Sequence, residues 1–178
     1  MKKLALLVLL ALEISVCGCG NSTTPSTTPN TSTSGNWEVQ FTGGTAEASK
    51  LDFVTAFSVT NSGSLTITGF SFINAGKCFA NGVNGSTQSG SATLVTSSTN
   101  AVTGTLTFTV QSVTPAGNTL TLNGNLTGTS NGTTGTTGTL SNGVVSGTWT
   151  LTGGQGDPSC AGGGSFLMCQ GTTTCTVT

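Results

Sequence analysis

The feature that most constrains the fold of this chain is an alternation of apolar and polar residues with a period of two. Between Val102 and Val110, every even-numbered position is apolar or glycine and every odd-numbered position is threonine. The same alternation recurs over residues 37–42, 120–126 and 145–151. Because successive side chains of a strand point to opposite faces, the pattern predicts antiparallel strands with one buried and one solvated face.

Short turn signals separate these runs, and they predict that neighbours in sequence are neighbours in the sheet. We expect a meander of about eight to ten strands, which must either close on itself or stack as two sheets. Some of the apolar positions in this alternation are occupied by glycines, which would ease the bending that closure requires. They are Gly104, Gly124 and Gly147. The fold class we predict is all-β, an up-and-down β-barrel, with a two-sheet β-sandwich as the alternative. At Gly69 the alternation of apolar and polar residues shifts by one position, which predicts a β-bulge there.

The first 18 residues have the composition of an export signal. Lys2 and Lys3 precede nine uncharged, mostly aliphatic residues, Leu4 to Leu12. This run is too short to span about 30 Å of hydrocarbon, but it suits the core of a signal peptide. Removal of residues 1–18 leaves 160 residues, which fits one domain plus a tail.

The segment Val16-Cys17-Gly18-Cys19 resembles the lipobox of bacterial lipoproteins. In that motif an aliphatic residue and, two positions later, a small residue precede the cysteine that is lipidated. The resemblance implies cleavage between Gly18 and Cys19 and a diacylglyceryl anchor on Cys19, whereas modification of Cys17 would put the larger Val16 at the cleavage site. Gly20 after the cysteine implies sorting to the outer membrane. A secreted protein is the alternative.

Residues 20–35 read GNSTTPSTTPNTSTSG and contain no apolar side chain. Nothing in such a segment offsets the entropy of ordering, so we expect a flexible tether. The predicted organisation is a signal peptide over 1–18, a lipidated cysteine and tether over 19–35, and a single β-domain over 36–178.

Charged residues are scarce beyond the signal peptide: they are Glu38, Glu47, Lys50, Asp52, Lys77 and Asp157. Nucleic-acid binding needs clustered basic residues that neutralise phosphates, and two isolated lysines cannot supply them. A basic patch for anionic lipid fails for the same reason. The expected contact with a membrane is therefore the lipid anchor alone.

The chain has no histidine, which removes the usual general base and the Ser–His and Cys–His pairs. A pair of carboxylates is the remaining route, as in glycoside hydrolysis. However, Glu38 and Asp52 fall on the solvated parity of their strands, and Asp157 lies in a Gly-Asp-Pro turn. We predict a protein that is not an enzyme and uses no metal or cofactor, with a carboxylate-based glycoside hydrolase as a remote alternative.

Four cysteines remain after Cys19: Cys78, Cys160, Cys169 and Cys175. An even number in an exported protein predicts two disulfides, for which three pairings exist. We favour Cys169–Cys175, because five small residues can close a local loop, and this choice leaves Cys78–Cys160. A metal site would need cysteines at C-x₂-C spacing or histidine partners, and the chain has neither.

Gly35-Asn36-Trp37 resembles the Gly-x-Trp that opens lipocalin and avidin-type barrels, and Gly147-Thr148-Trp149 repeats its spacing. In those families the tryptophan packs across the closed end of the barrel, and the resemblance implies a ligand-binding barrel. Lipocalins stack a basic residue on this tryptophan. This chain contains no arginine that could take that place. Over nearly its full length the chain resembles β-rich bacterial lipoproteins, a resemblance that brings no activity.

Two functions stay open, both for a non-enzymatic envelope lipoprotein. The first is binding of a small apolar or glycan ligand in the barrel mouth, and the second is a structural or adhesive surface module without a small ligand. Large aromatic residues on the apolar parity are the candidates for pocket or core: Trp37, Phe53, Phe57, Phe108 and Trp149. They separate the two functions, because they line a cavity in the first and fill the interior in the second.

Overall fold

The structure is a computed structural model, and it describes residues 31–33, 36–45, 47–59, 65–81, 85–131, 138–153 and 157–171. The strands are β1 (Thr31–Thr33), β2 (Trp37–Gly43), β3 (Asp52–Val59), β4 (Leu65–Asn74), β5 (Ser86–Thr96), β6 (Ala101–Ser112), β7 (Thr119–Ser130), β8 (Gly138–Thr152) and β9 (Gly162–Gln170). One turn of 3-10 helix, Ala48–Lys50, connects β2 to β3.

Eight strands form one nearly closed, barrel-shaped antiparallel sheet in the order β4-β3-β2-β9-β8-β7-β6-β5. Neighbours in sequence pair from β2 to β4 and from β5 to β9, and β2 joins these two runs by pairing with β9, from Trp37↔Gln170 to Gly43↔Gly164. The two ends of the strand order, β4 and β5, face each other across the remaining seam. The predicted all-β barrel with meander order is therefore confirmed, in preference to the sandwich.

Alternation along each strand sends apolar side chains to the interior. In β2, Trp37 and Val39 are fully buried, whereas Glu38 and Gln40, which alternate with them, are partly exposed on the outer wall. β3 repeats the pattern over its whole length. Period-two patterning in the sequence thus decides which face of every strand lies inside.

The predicted bulge in β4 is present. The register shifts between Ala56 and Phe57 of β3, whose partners are Gly69 and Ile67. One residue of β4 is therefore left out of the ladder, and the parity of the strand changes beyond it. Phe70 then packs against the core on the same side as Ile67.

The tether prediction needs one correction. Thr31–Thr33 lies inside the segment 19–35 for which we expected no regular structure, yet it forms β1 and pairs in parallel with Gly138–Leu140 of β8. β8 extends past the end of β9, so its edge is open to another strand there. The free backbone groups of that edge can pair with a polar segment such as this one.

Candidate functional site

The five aromatic candidates lie together in the barrel interior. Each is at most 1% exposed. Trp37 stacks on Phe57 with 5.1 Å between ring centroids, and Phe53 stacks on Phe108 at 5.7 Å. They belong to one continuous apolar core. Offset stacking and burial of this kind are typical of a packed interior.

Trp37 fills one end of the barrel. A methyl group on Gly143 would lie 2.4 Å from its ring, so the tryptophan packs directly on backbone. Buried Gln170 holds this end together, because its Nε2 donates to the Leu140 carbonyl at 2.9 Å and its Oε1 accepts from the Gly143 N–H at 3.1 Å. The indole N–H of Trp37 is buried and has no acceptor among the described residues.

Trp149 fills the opposite end. Its indole N–H donates to the Thr42 carbonyl at 3.1 Å, and its ring meets Phe41 edge-on at 5.4 Å. A methyl group on Gly44 would lie 2.5 Å from the ring. With a tryptophan at each end and stacked phenylalanines between them, these side chains pack against one another as one core.

Two of the four carboxylates, Glu47 and Asp157, each have partners of their own. Glu47 forms an exposed ion pair with Lys50 at 2.9 Å. Asp157 accepts hydrogen bonds from the backbone N–H and the hydroxyl of Ser159 at 2.9 and 2.6 Å, and these bonds hold its pKa below the usual value. Asp157 is therefore a turn-stabilising residue, as the sequence suggested.

Asp52 and Glu38 are the two carboxylates that influence each other. Partial burial raises the pKa of the Asp52 carboxyl, and the neighbouring Glu38 charge raises it further. Both side chains lie on the outer wall, on adjacent strands β2 and β3. The alternation in the sequence predicted this position, on the outside of the barrel and away from its aromatic interior.

The cysteines follow the favoured pairing as far as they are described. Cys78 and Cys160 form a disulfide with 5.3 Å between Cα atoms, and both are buried. Cys169 is also disulfide-bonded, and its expected partner Cys175 lies outside the described residues. Gly18 and Cys19 lie outside them as well.

Among the described residues, no three His, Cys, Asp or Glu side chains are grouped as a metal site would require.

A shallow groove on the outer wall was not predicted. It crosses β6, β7 and β8 and has a volume of about 440 Å³. Two rows of polar side chains form its walls, and each row runs across the three strands: Thr105, Asn125 and Ser146 on one side, and Thr107, Asn123 and Thr148 on the other. The floor between them is the backbone of Leu106, Gly124 and Gly147. We call this feature the outer groove.

Glycines explain why the wall is concave at this point. Gly124 and Gly147 pair with each other on the inward-facing parity. A methyl group on Gly124 would lie 2.7 Å from Val145 and 2.8 Å from the Phe166 ring, so the core reaches the backbone there. The sequence did identify these glycines as points of bending, but their alignment across strands depends on the register.

Comparison with protein-family models, with curated proteins and with solved structures gives no match for this chain. Within the ranges that the structure describes, no helix has the length and apolar character needed to cross a membrane. The functional proposal therefore rests on the geometry and chemistry of the chain itself.

Proposed function

We propose that this chain is a lipid-anchored, non-catalytic surface module of a bacterial envelope. Its barrel serves as a rigid scaffold, and its outer wall makes the contacts. The tethered lipid on Cys19 holds the module at the outer membrane; a secreted form is the alternative location.

The observation that carries this proposal is the filled interior. Trp37 and Trp149 occupy the two ends, and Phe53, Phe57 and Phe108 pack between them. Ligand sites normally bury most of a small molecule's surface in a preformed cavity. A core of stacked rings favours the structural or adhesive module over a small ligand in the barrel mouth.

The outer wall supports the same proposal. From Ser86 to Thr152, which spans β5 to β8, the sequence contains no charged residue. Threonine, serine and asparagine side chains instead form aligned rows across these strands, such as Ser91, Thr107, Asn123 and Thr148. A broad neutral wall suits contact with other neutral surfaces, whereas a charged wall would select ionic partners.

Anchoring is tested by Cys19→Ala, with Cys17→Ala as the matched control. We expect Cys19→Ala to move the protein from the membrane fraction to the soluble fraction, because the substituted residue cannot carry the diacylglyceryl group. Cys17→Ala should leave the protein on the membrane. Fractionation followed by immunoblotting measures both. If Cys19→Ala stayed on the membrane, the lipid-anchor proposal would be wrong.

The packed interior is tested on the same preparation by native mass spectrometry. We expect the folded protein to have the mass of the lipidated chain alone. A small molecule that is retained in the native state and lost on denaturation would contradict the scaffold proposal and favour the ligand-binding barrel.

A further inference from the structure

We propose that the outer groove binds a single chain of a neutral polysaccharide. The inference rests on the proposed function, which places the outer wall of the barrel in contact with envelope or extracellular material. It adds the site on that wall and the chemical class of the partner.

The dimensions of the groove suit a linear polymer. The width of the groove is about 7 Å, because its two walls are two residues apart along each strand. Its length is about 10 Å, because it crosses three neighbouring strands. In line with the floor, the next residues across the sheet are Ala92 of β5 and Phe166 of β9, and both side chains are buried, so neither closes an end of the groove. A chain of sugar rings can therefore enter and leave at both ends.

The wall chemistry selects a neutral partner that is rich in hydroxyl groups. All six wall side chains are hydroxyls or carboxamides, which both donate and accept hydrogen bonds. The strands of the groove, β6, β7 and β8, carry no charged residue. An anionic polymer would find no cation there to replace its counterions.

The wall residues have hydrogen-bonding capacity to offer. The Thr107 hydroxyl donates to the Asn123 carboxamide oxygen at 3.0 Å, which orients that amide. Asn125, Ser146 and Thr148 are exposed and, within the described part of the chain, make no side-chain hydrogen bond to protein. Their hydroxyl and amide groups are thus available to a ligand.

A polymer is favoured over a small molecule because the groove is shallow. It cannot bury most of a small ligand, so a monosaccharide would gain too few contacts to be held. A repeating chain gains by many weak contacts that act together, within one groove and among neighbouring anchored copies. A peptide is less suited, because the floor is the backbone of Leu106, Gly124 and Gly147 and offers no pockets for side chains.

The test is native affinity electrophoresis of the full chain in a polyoxyethylene detergent, which has no sugar headgroup. The gels contain a neutral glucan, mannan or galactan, and alginate serves as the polyanion. We expect at least one neutral polysaccharide to retard the protein and alginate to have no effect. Ser146→Val with Thr148→Val should raise the dissociation constant for that polysaccharide about tenfold, because two hydrogen-bonding groups are lost.

The matched control is Thr150→Val with Thr152→Val, on the same strand and the same outer face but beyond the groove. It keeps the charge and also replaces hydroxyls by methyl groups, with one methyl group fewer than the pair that includes Ser146→Val, and we expect its dissociation constant to stay within about twofold of the unsubstituted chain. Retardation by no neutral polysaccharide, equal retardation by alginate, or equal weakening by the two variants would each overturn the inference. Any of these results combined with release of Cys19→Ala from membranes would leave the anchored-module proposal intact.

Discussion

The two buried tryptophans differ in what their indole N–H groups meet. Trp149 donates to the Thr42 carbonyl, whereas the buried N–H of Trp37 has no acceptor in the part of the chain that the structure describes. A buried donor without a partner costs about 1–3 kcal/mol, and a made hydrogen bond contributes about 1 kcal/mol. Two residues of the same type at opposite ends of one barrel therefore contribute differently to its stability.

Substitution by phenylalanine exposes this difference. Trp149→Phe loses a hydrogen bond, whereas Trp37→Phe removes an unsatisfied donor, and both lose similar ring volume. We expect Trp149→Phe to lower the free energy of unfolding by roughly 1–3 kcal/mol more than Trp37→Phe. Urea unfolding followed by far-UV circular dichroism measures both variants. An equal loss in both would mean that ring volume alone sets the cost.

At the scale of elements, the glycine row across β7 and β8 shapes the wall. A methyl group on Gly147 would lie 2.0 Å from the Asn123 carbonyl oxygen and 2.5 Å from the Gly124 Cα. These are backbone atoms of the neighbouring strand, so neither strand can accommodate the methyl group by a side-chain rotation. Only glycine permits this close approach, and with it the concave outer surface.

Gly147→Ala is therefore expected to destabilise the barrel by about 1–3 kcal/mol or more, as overpacking does. Gly69→Ala is the control, because its added methyl group would lie 3.7 Å from the nearest atom, the Ala56 Cβ, at ordinary contact distance. We expect Gly69→Ala to change the free energy of unfolding by no more than about 0.5 kcal/mol. Thermal unfolding of the two variants checks the contrast, which would fail if both lost the same stability.

At the scale of the whole molecule, the Cys78–Cys160 disulfide links distant parts of the barrel. It joins the connection between β4 and β5, beside the seam, to the connection between β8 and β9, across 82 residues of sequence. No ladder of backbone hydrogen bonds joins β4 to β5. The covalent link therefore restrains the part of the wall that strand pairing leaves open.

Removal of this disulfide by Cys78→Ala with Cys160→Ala should lower the free energy of unfolding by about 4–5 kcal/mol, because the unfolded chain regains the entropy of an 82-residue loop. Urea unfolding under non-reducing conditions measures the loss. In the unsubstituted chain, a reductant should lower the unfolding midpoint in the same direction. An unchanged midpoint in the double variant would show that the link does not constrain the unfolded state.

Much of the fold was predictable because its signals are local. The alternation around Val102–Val110 and the shift of that alternation at Gly69 both depend on residues close in sequence. The short strand β1 was missed, because Thr31–Thr33 contains no apolar residue and its partner is the part of β8 that extends past β9. The outer groove was missed as well, although its glycines had been recognised as points of bending.

The sequence by itself determined which residues face the interior and which lie on the outer wall. It also determined that both surfaces carry almost no charge. Period-two alternation sets those directions strand by strand, without reference to any partner. Only the tertiary structure decided that the aromatic residues fill the interior and that six polar residues from three strands line one groove. Both outcomes depend on barrel closure and cross-strand register, which long-range pairing sets.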